Sequence, residues 1–538
     1  MGRSIIIVME VDYNMGIIKS LHIEGLKKFN KFDAEFNEHM NIIVGENEAG
    51  KSTLLDAISI VINQKYQTTD KSILKDLFNI TQVENFNVNP SYSNLPYIYI
   101  ELVLELDNKE KSSEYFWGEN NLSKKELFGL TFECRVNEDL RDSIDESIKS
   151  GKIPYEFYSM KWNTFAGLPY YQIKKPFNFL YINTSNSGTN ASFNYYNRAL
   201  FNSTYDESTK MNAKNAFRDN LTEAFQKIGL RDIDSKRRFG INDKKVALDS
   251  IISVYEDSIS IENRGSGMES LIKTQIAIDK SKSKLDVILI EEPENHLCFT
   301  NMNKMIQEIS LQKSNSQIII STHSSMIATK LNLKNILWIQ EKRTISLKEV
   351  DDKIANFFIR ADDNSFLKFL LSNKVILVEG ATEYLILPKI YKMINESTID
   401  EDGITIVSCN GISYKNYLHI AKEQIKKIAV LTDNDANEER INEANEYNQS
   451  NDMSHIFMGE STTDWTWEVC FYNLNQKYFD SLLEPNEKAD YKYHGRDFGK
   501  TLGKMLNNKV LTAYKMDENN DGFVIPNYIE EAMKWIKQ

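Results

Sequence analysis

The hydrophobic and polar positions lay out the elements along the chain. From Met15, IIKSLHIEGL and FDAEFNEHMNIIVG alternate or run apolar at strand spacing, whereas STLLDAISIVI places Leu54, Ile58, Val61 and Ile62 at helical spacing. A further strand is expected over 97–106 (YIYIELVLEL), and strand patterns resume at 253–261, 286–292 and 316–322. From about 366 the pattern alternates: strand 374–379, helix 382–394, strand 404–408, helix 413–425, strand 427–432. Strands interleaved with helices in this way predict a parallel α/β sheet. The chain is therefore expected to hold an α/β domain over 1–365 and a second α/β domain over 366–538.

Residues from about 108 to 245 break the pattern. They are polar, aromatic-rich and Asn-rich, as in TSNSGTNASFNYYNRALFN, with helical stretches such as AKNAFRDNLTEAFQKIGL. One reading is an insertion carrying a partner-facing or dimerising element; the other is an elaborated part of the first domain.

Composition narrows the class. A chain of 538 residues is long enough for two or three domains. Its net charge of -13 argues against a protein that coats nucleic acid through overall charge, but leaves room for a local basic groove. SKRRFGINDKK (235–245) and KEQIKKI (422–428) are the candidate phosphate-contacting clusters. The cysteines Cys134, Cys298, Cys409 and Cys470 form no C-x-x-C pair, which fits a reducing compartment and excludes a cysteine zinc ribbon. No apolar run approaches the ~18 residues that span a bilayer, and SIIIVMEV is followed at once by Asp12. A cytoplasmic protein without membrane attachment is expected. Residues 1–14 read as a loose extension or a consequence of start-codon choice.

Candidate chemistry appears first at GENEAGKST, which fits G-x-x-x-x-G-K-[ST] between a strand and a helix. In such a P-loop, Gly45, Asn47 and Gly50 bring backbone N–H groups to the phosphates of ATP. Lys51 reaches the β- and γ-oxygens, and Ser52, followed by Thr53, meets Mg²⁺. VILIEEPENHL then delivers two acids at a strand end. Glu291 is expected to hold the metal through its water shell and Glu292 to polarise the attacking water. His323, just past IIIST, is expected to sense the γ-phosphate. In NRGSGMESLI, Ser266 and Gly267 open a helix ahead of that strand. This resembles the signature motif of ABC and structural-maintenance-of-chromosomes ATPases, and the resemblance implies ATP-dependent head-to-head dimerisation.

A second constellation lies further on. KVILVEGATEYLILP ends a buried strand on Glu379 and sets Glu383 about one helical turn later; AVLTDNDA ends another strand on Asp433 and Asp435. Functional groups of an open parallel sheet gather at the carboxyl ends of its strands. If these strands are neighbours, four carboxylates converge, each close pair costing ~4 kcal/mol at 4 Å and an effective dielectric near 20. Divalent cations remove that repulsion, and oxygen-only ligands favour Mg²⁺ or Mn²⁺. Such ions can activate water for phosphodiester cleavage.

The E-G-x-x-E…D-x-D pattern resembles the TOPRIM domain of topoisomerases, primases and certain nucleases. An ABC-type ATPase followed by a TOPRIM domain is similar to the OLD (overcoming lysogenization defect) endonucleases, a family that includes the nuclease subunit of the Gabija anti-phage system. SNKVILVEGATEYLILPKI and IEEPENHL carry the likeness most specifically. It implies a metal-dependent, ATP-regulated DNA endonuclease of bacterial anti-phage defence that acts as a homodimer or higher homo-oligomer. It further implies a later metal glutamate, for which DWTWEVCF offers Glu468, and a transition-state lysine, for which Arg496, Lys500 and Lys492 are the candidates. A helicase or retron-type partner is left open. The competing readings are a non-cleaving ATPase serving as DNA-repair scaffold or loader, and a topoisomerase- or primase-type enzyme; plasmid cleavage and a covalent DNA adduct, respectively, separate them from the first.

Overall fold

The computed structural model describes residues 16–538 apart from 68–69, 108–110, 184–196, 199, 203, 229, 231–232, 234–236, 238, 241, 243–247, 249–250, 282–284, 296, 312–315, 361–364, 410–412, 422–425, 487 and 520–521. The chain forms two compact units, residues 1–349 and 350–538.

The first unit holds two six-stranded sheets. One is antiparallel and begins in the order Phe29–Glu35, Ile17–Leu26, Ile98–Glu105, Leu127–Val136, the last also pairing with Trp117–Gly118 and Tyr158–Thr164. The other orders Thr344–Ser346, Ile336–Ile339, Met40–Val44, Gln317–Ser321, Val287–Glu291 and Phe179–Asn183, parallel throughout except for its Thr344–Ser346 edge. Helix Lys51–Asn63 has Leu54, Leu55, Ala57, Ile58, Ile60, Val61 and Ile62 fully buried, so it is apolar on nearly every side, as a core helix must be. Its last carbonyls are not orphaned: Trp162 Nε1 donates to Ile60 O at 2.8 Å and Tyr170 Oη to Ile62 O at 3.1 Å.

Four strands of the 108–245 stretch, Trp117–Gly118, Leu127–Val136, Tyr158–Thr164 and Phe179–Asn183, are members of these sheets, and Trp162 and Tyr170 anchor the P-loop helix. That part of the stretch is integral to the unit; its polar, Asn-rich composition hid short strands whose partners lie far away in sequence. Helix Glu207–Lys227 is different, with Lys210 its one buried residue. The strand expected over 253–261 is a small hairpin, Tyr255–Glu256 with Ile259–Ser260. Asp257 and Ser258 turn it at φ 49° and 66°, the left-handed backbone that two-residue hairpin turns require.

The second unit is built on a four-stranded parallel sheet in the order Ile404–Ser408, Lys374–Val378, Lys427–Leu431, Ser454–Phe457. Lys374–Val378 and Lys427–Leu431 are direct neighbours, with Val378 opposite Leu431. The residues that follow each strand therefore emerge side by side at the carboxyl edge. Helix Ala381–Asn395 is tied to helix Lys509–Glu518 by Lys389, whose Nζ donates to the carbonyls of Met516, Asp517 and Asn519 at 2.6–2.8 Å. Of the basic run 422–428, Lys426 is buried and donates to the carbonyls of Phe369, Leu370 and Ser372, each at 2.6 Å. Lys427 lies over the Trp535 ring, 4.6 Å from its centroid. These two lysines serve the fold instead of facing phosphate; the rest of that run's basic charge, and nearly all of the 235–245 cluster's, lies outside the described residues.

Candidate functional site

In the first unit the P-loop joins strand Met40–Val44 to helix Lys51–Asn63. Gly50 caps the helix at φ 106°, and a Cβ there would stand 2.3 Å from the Phe29 ring, so only glycine fits. Lys51 Nζ folds back to the carbonyls of Gly45 and Glu46, both at 2.9 Å. Burial pushes the Lys51 ammonium down to about 8, with the charges of Glu292 and Glu294 opposing the shift. An open cleft of about 940 Å³ is lined by Asn47, Gly50, Lys51, Ser52, Thr53, Glu292 and His323 among others.

Glu291 ends its strand buried. Its carboxylate accepts from Tyr181 Oη at 2.5 Å and Asn183 Nδ2 at 2.6 Å, both on the neighbouring strand, and from the Ser52 hydroxyl. Burial raises its pKa while the Ser52 and Tyr181 hydrogen bonds hold it back. Tyr181 and Asn183 were not foreseen from sequence; the only trace was the short apolar run FLYIN. Glu292 turns the chain at φ 46° and faces His323, whose Nε2 is 3.4 Å from its Oε1. Burial, then Lys51, lowers the His323 pKa, which favours the neutral ring. Glu294 joins the loops: one carboxylate oxygen accepts from Thr322 Oγ1 at 2.8 Å and from His323 N at 2.6 Å. Ser266 and Gly267 open helix Ser266–Ser281.

In the second unit the carboxylates meet. Glu379 Oε1 accepts from the Thr432 hydroxyl and from Asp433 N at 3.0 Å. Asp433 Oδ1 accepts from Trp467 N at 2.9 Å, which sets Glu468 beside it on the first turn of helix Trp467–Leu474. The unusual tryptophans explain themselves: Trp467 packs on Phe471 with ring centroids 4.4 Å apart, and Trp465 on Tyr493 at 6.2 Å. Glu383 accepts from Gly380 N at 3.2 Å. Between the two aspartates, buried Asn434 donates to the carbonyls of Gly459, Ser461 and Asp464 and accepts from Ala436 N.

The four acids feel one another. Burial, then Glu379 and Glu468, push Asp433 up to about 8; Glu383 is raised by burial and by the charges of Glu468 and Glu379. The cation reaching this group is Lys509, whose Nζ is 3.0 Å from Glu468 Oε2. Burial opposes its charge, yet Glu468 and then Asp433 raise its pKa. None of the three expected candidates takes that place. Lys492 pairs with Asp490 at 3.7 Å, Arg496 exchanges backbone hydrogen bonds with Tyr493, and Lys500 opens helix Lys500–Asn507. Sequence signals favoured the Gly-rich stretch before that helix; Lys509 sits beyond it, at the start of an ordinary-looking helix. Asp435 also stands apart, its carboxylate paired with Arg440.

Among the described residues no three His, Cys, Asp or Glu side chains are grouped closely enough to ligate one ion as they stand. Protein donors engage Glu379, Asp433, Glu468 and Glu383 instead. The donor set nevertheless suits a divalent cation: it is all oxygen, and the burial and neighbouring charges that raise Asp433 to about 8 are what a cation offsets.

Residues 17–328 match the AAA ATPase domain family, and residues 370–435 match the overcoming lysogenization defect protein-like TOPRIM domain. The Old nuclease of Escherichia phage P2 is 31% identical over 164 residues, which make up 28% of this chain and 28% of the phage protein's length. Endonuclease GajA of Bacillus cereus (strain VD045) is 21% identical over 454 residues, 77% of this chain and 74% of that protein. A solved C-terminal region of the Burkholderia pseudomallei OLD protein shares 15% identity at a TM-score of 0.25, covering 31% of this chain and 97% of its own.

Proposed function

Because the chain belongs to the AAA ATPase family over residues 17–328 and carries an OLD-like TOPRIM domain over 370–435, we propose that it is an ATP-regulated, divalent-metal-dependent DNA endonuclease. The observation that carries the reading is the convergence of Glu379, Glu383, Asp433 and Glu468 at one sheet edge with Lys509 against them. Acids kept only to cap helices would not be set so near one another that burial and neighbouring carboxylates raise the pKa values of Asp433 and Glu383.

Glu379, Asp433, Glu468 and Glu383 would hold Mg²⁺ or Mn²⁺, with Asp435 joining once its own ion pair opens. When bound, such ions supply charge neutralisation for the phosphodiester and a more acidic water. The chain's own residues do the rest. Thr432 and the Asp433 N–H orient Glu379, the Trp467 N–H orients Asp433, and Lys509 offers a cation to the charge that develops on the phosphate.

In the other unit, Lys51 and the P-loop amides would bind the ATP phosphates, and Ser52 with Glu291 would hold their Mg²⁺. Glu292 would orient water, and neutral His323 would contact the γ-phosphate. Ser266 and Gly267, opening helix Ser266–Ser281, fit the role of completing the site of a second copy, which makes ATP-dependent homodimerisation part of the reading. A role in bacterial anti-phage defence is the biological setting proposed for this activity, and DNA its substrate.

The test is plasmid cleavage in Mg²⁺ or Mn²⁺, with and without ATP, for the wild type and Glu379→Ala. Metal-dependent nicking or linearisation that Glu379→Ala abolishes is the expected result. Intact plasmid under every condition would leave a non-cleaving ATPase, and cleavage indifferent to nucleotide would sever the proposed regulation from the nuclease.

A further inference from the structure

Asp435 was expected to hold a cation, yet its carboxylate is paired with the Arg440 guanidinium on the first turn of helix Glu438–Ser450. Exposed ion pairs often contribute little. The place of this one gives it another meaning. Arg440 Nη2 lies 3.4 Å from Thr432 Oγ1, and that hydroxyl itself donates to Glu379. Arg440 thus stands at the rim of the carboxylate site.

A cleft of about 370 Å³ opens beside it, lined by Glu379, Cys409, Ser413, Tyr414, Thr432 and Arg440 over the strand ends at Leu377–Val378 and Val430–Leu431. Glu383, Asp433 and Trp467 line a different recess, and Leu431 and Thr432 line both. In the cleft the charged lining residues are Glu379 and Arg440. Tyr414 is half-buried, and the charges of both reach its hydroxyl, Arg440 lowering and Glu379 raising a pKa that burial has already raised. The chemistry is that of one nucleotide. A planar guanidinium matches a phosphate diester, an aromatic ring offers a face to a base or sugar, and the volume falls at the small end of the ~300–1,000 Å³ of ligand sites.

Resting on the nuclease reading above, we propose that Arg440 is an exchangeable counter-charge. It neutralises Asp435 in the cation-free protein. When a divalent cation takes Asp435, Arg440 turns to the phosphate next to the bond that is cut, and the nucleoside carrying that phosphate occupies the Tyr414 cleft.

The test uses the full chain without nucleotide. Calorimetric titration with Mn²⁺ should show Arg440→Gln binding about fivefold or more tightly than wild type, since Asp435 is released, with Arg440→Lys close to wild type. Fluorescence anisotropy with a 30-base-pair duplex in Ca²⁺ should show Arg440→Gln and Tyr414→Ala each weakened about tenfold, and Arg440→Lys partly restored. Unchanged Mn²⁺ affinity in Arg440→Gln overturns the proposal, and so does unchanged duplex affinity in either variant. Plasmid cleavage by the wild type, run alongside, separates the two readings: an inert wild type retires the nuclease itself, whereas an active wild type with unaltered variants retires only the Arg440 and Tyr414 proposal.

Discussion

Lys509 Nζ stands 3.0 Å from Glu468 Oε2, each residue opening its own helix. Glu468 is buried and Lys509 is the cation whose field extends on to Asp433. The pair joins the carboxylate group to a positive charge. If Lys509 stabilises charge on the phosphate, Lys509→Met should slow plasmid cleavage about 10²–10³-fold at saturating Mn²⁺, and Lys509→Arg should retain more activity. Equal rates for wild type and Lys509→Met would leave the lysine as a counter-ion for Glu468 alone.

Asp433 supplies a pH signature of folding. Its folded pKa of about 8 lies above the ordinary value of 3.8, so between those limits the folded state binds more protons than the unfolded one. Stability therefore falls as pH rises, from near 4 up through about 8. Thermal unfolding of the carboxyl-terminal unit without divalent cation should move to lower temperature between pH 5 and 9. Asp433→Asn, which keeps an acceptor for Trp467 N–H and loses the charge, should flatten that slope. A wild-type midpoint independent of pH over this range would contradict the burial and neighbouring charges that hold Asp433 protonated.

Lys51 supplies a second pH signature, in binding. Burial holds its ammonium near 8 in the nucleotide-free protein, and phosphate oxygens require the charged form. Affinity for a non-hydrolysable ATP analogue should fall as pH rises above about 8, and binding near that pH should take up a proton, seen as a dependence of calorimetric heat on the buffer's ionisation enthalpy. Lys51→Met should bind weakly and show neither effect.

Asn434 is the unremarked middle residue of D-x-D, yet its amide holds three carbonyls of the 459–464 loop that leads into Trp467 and Glu468. Gly459 on that loop leaves no room for a side chain, since a Cβ would stand 2.4 Å from Asp464 O. Asn434→Ala leaves the buried Gly459 carbonyl and the part-buried Ser461 and Asp464 carbonyls without this donor and should cost about 3 kcal/mol by urea denaturation. The same variant should loosen Glu468 from Asp433 and lower the apparent affinity for Mn²⁺. Wild-type values in both measurements would show that the loop is held by other contacts.

The sequence by itself determined what backbone geometry and local pattern dictate. The P-loop was legible because its strand, glycines and helix are contiguous, and Glu291, Glu292, Glu379 and Asp433 because each ends or follows an apolar run at a strand terminus. That Lys374–Val378 and Lys427–Leu431 are direct neighbours was only a condition in the sequence pattern, and the sheet order met it. Tertiary structure alone decided which distant side chains meet. Lys509 replaced Arg496, Lys500 and Lys492 at the acids, Tyr181 and Asn183 closed around Glu291, Lys426 turned inward to helix carbonyls, and Arg440 drew Asp435 aside. The reason is physical. Hydrophobic periodicity records which face of an element is buried, whereas a hydrogen bond or ion pair between elements depends on packing angles and registers that leave no periodic mark in either partner.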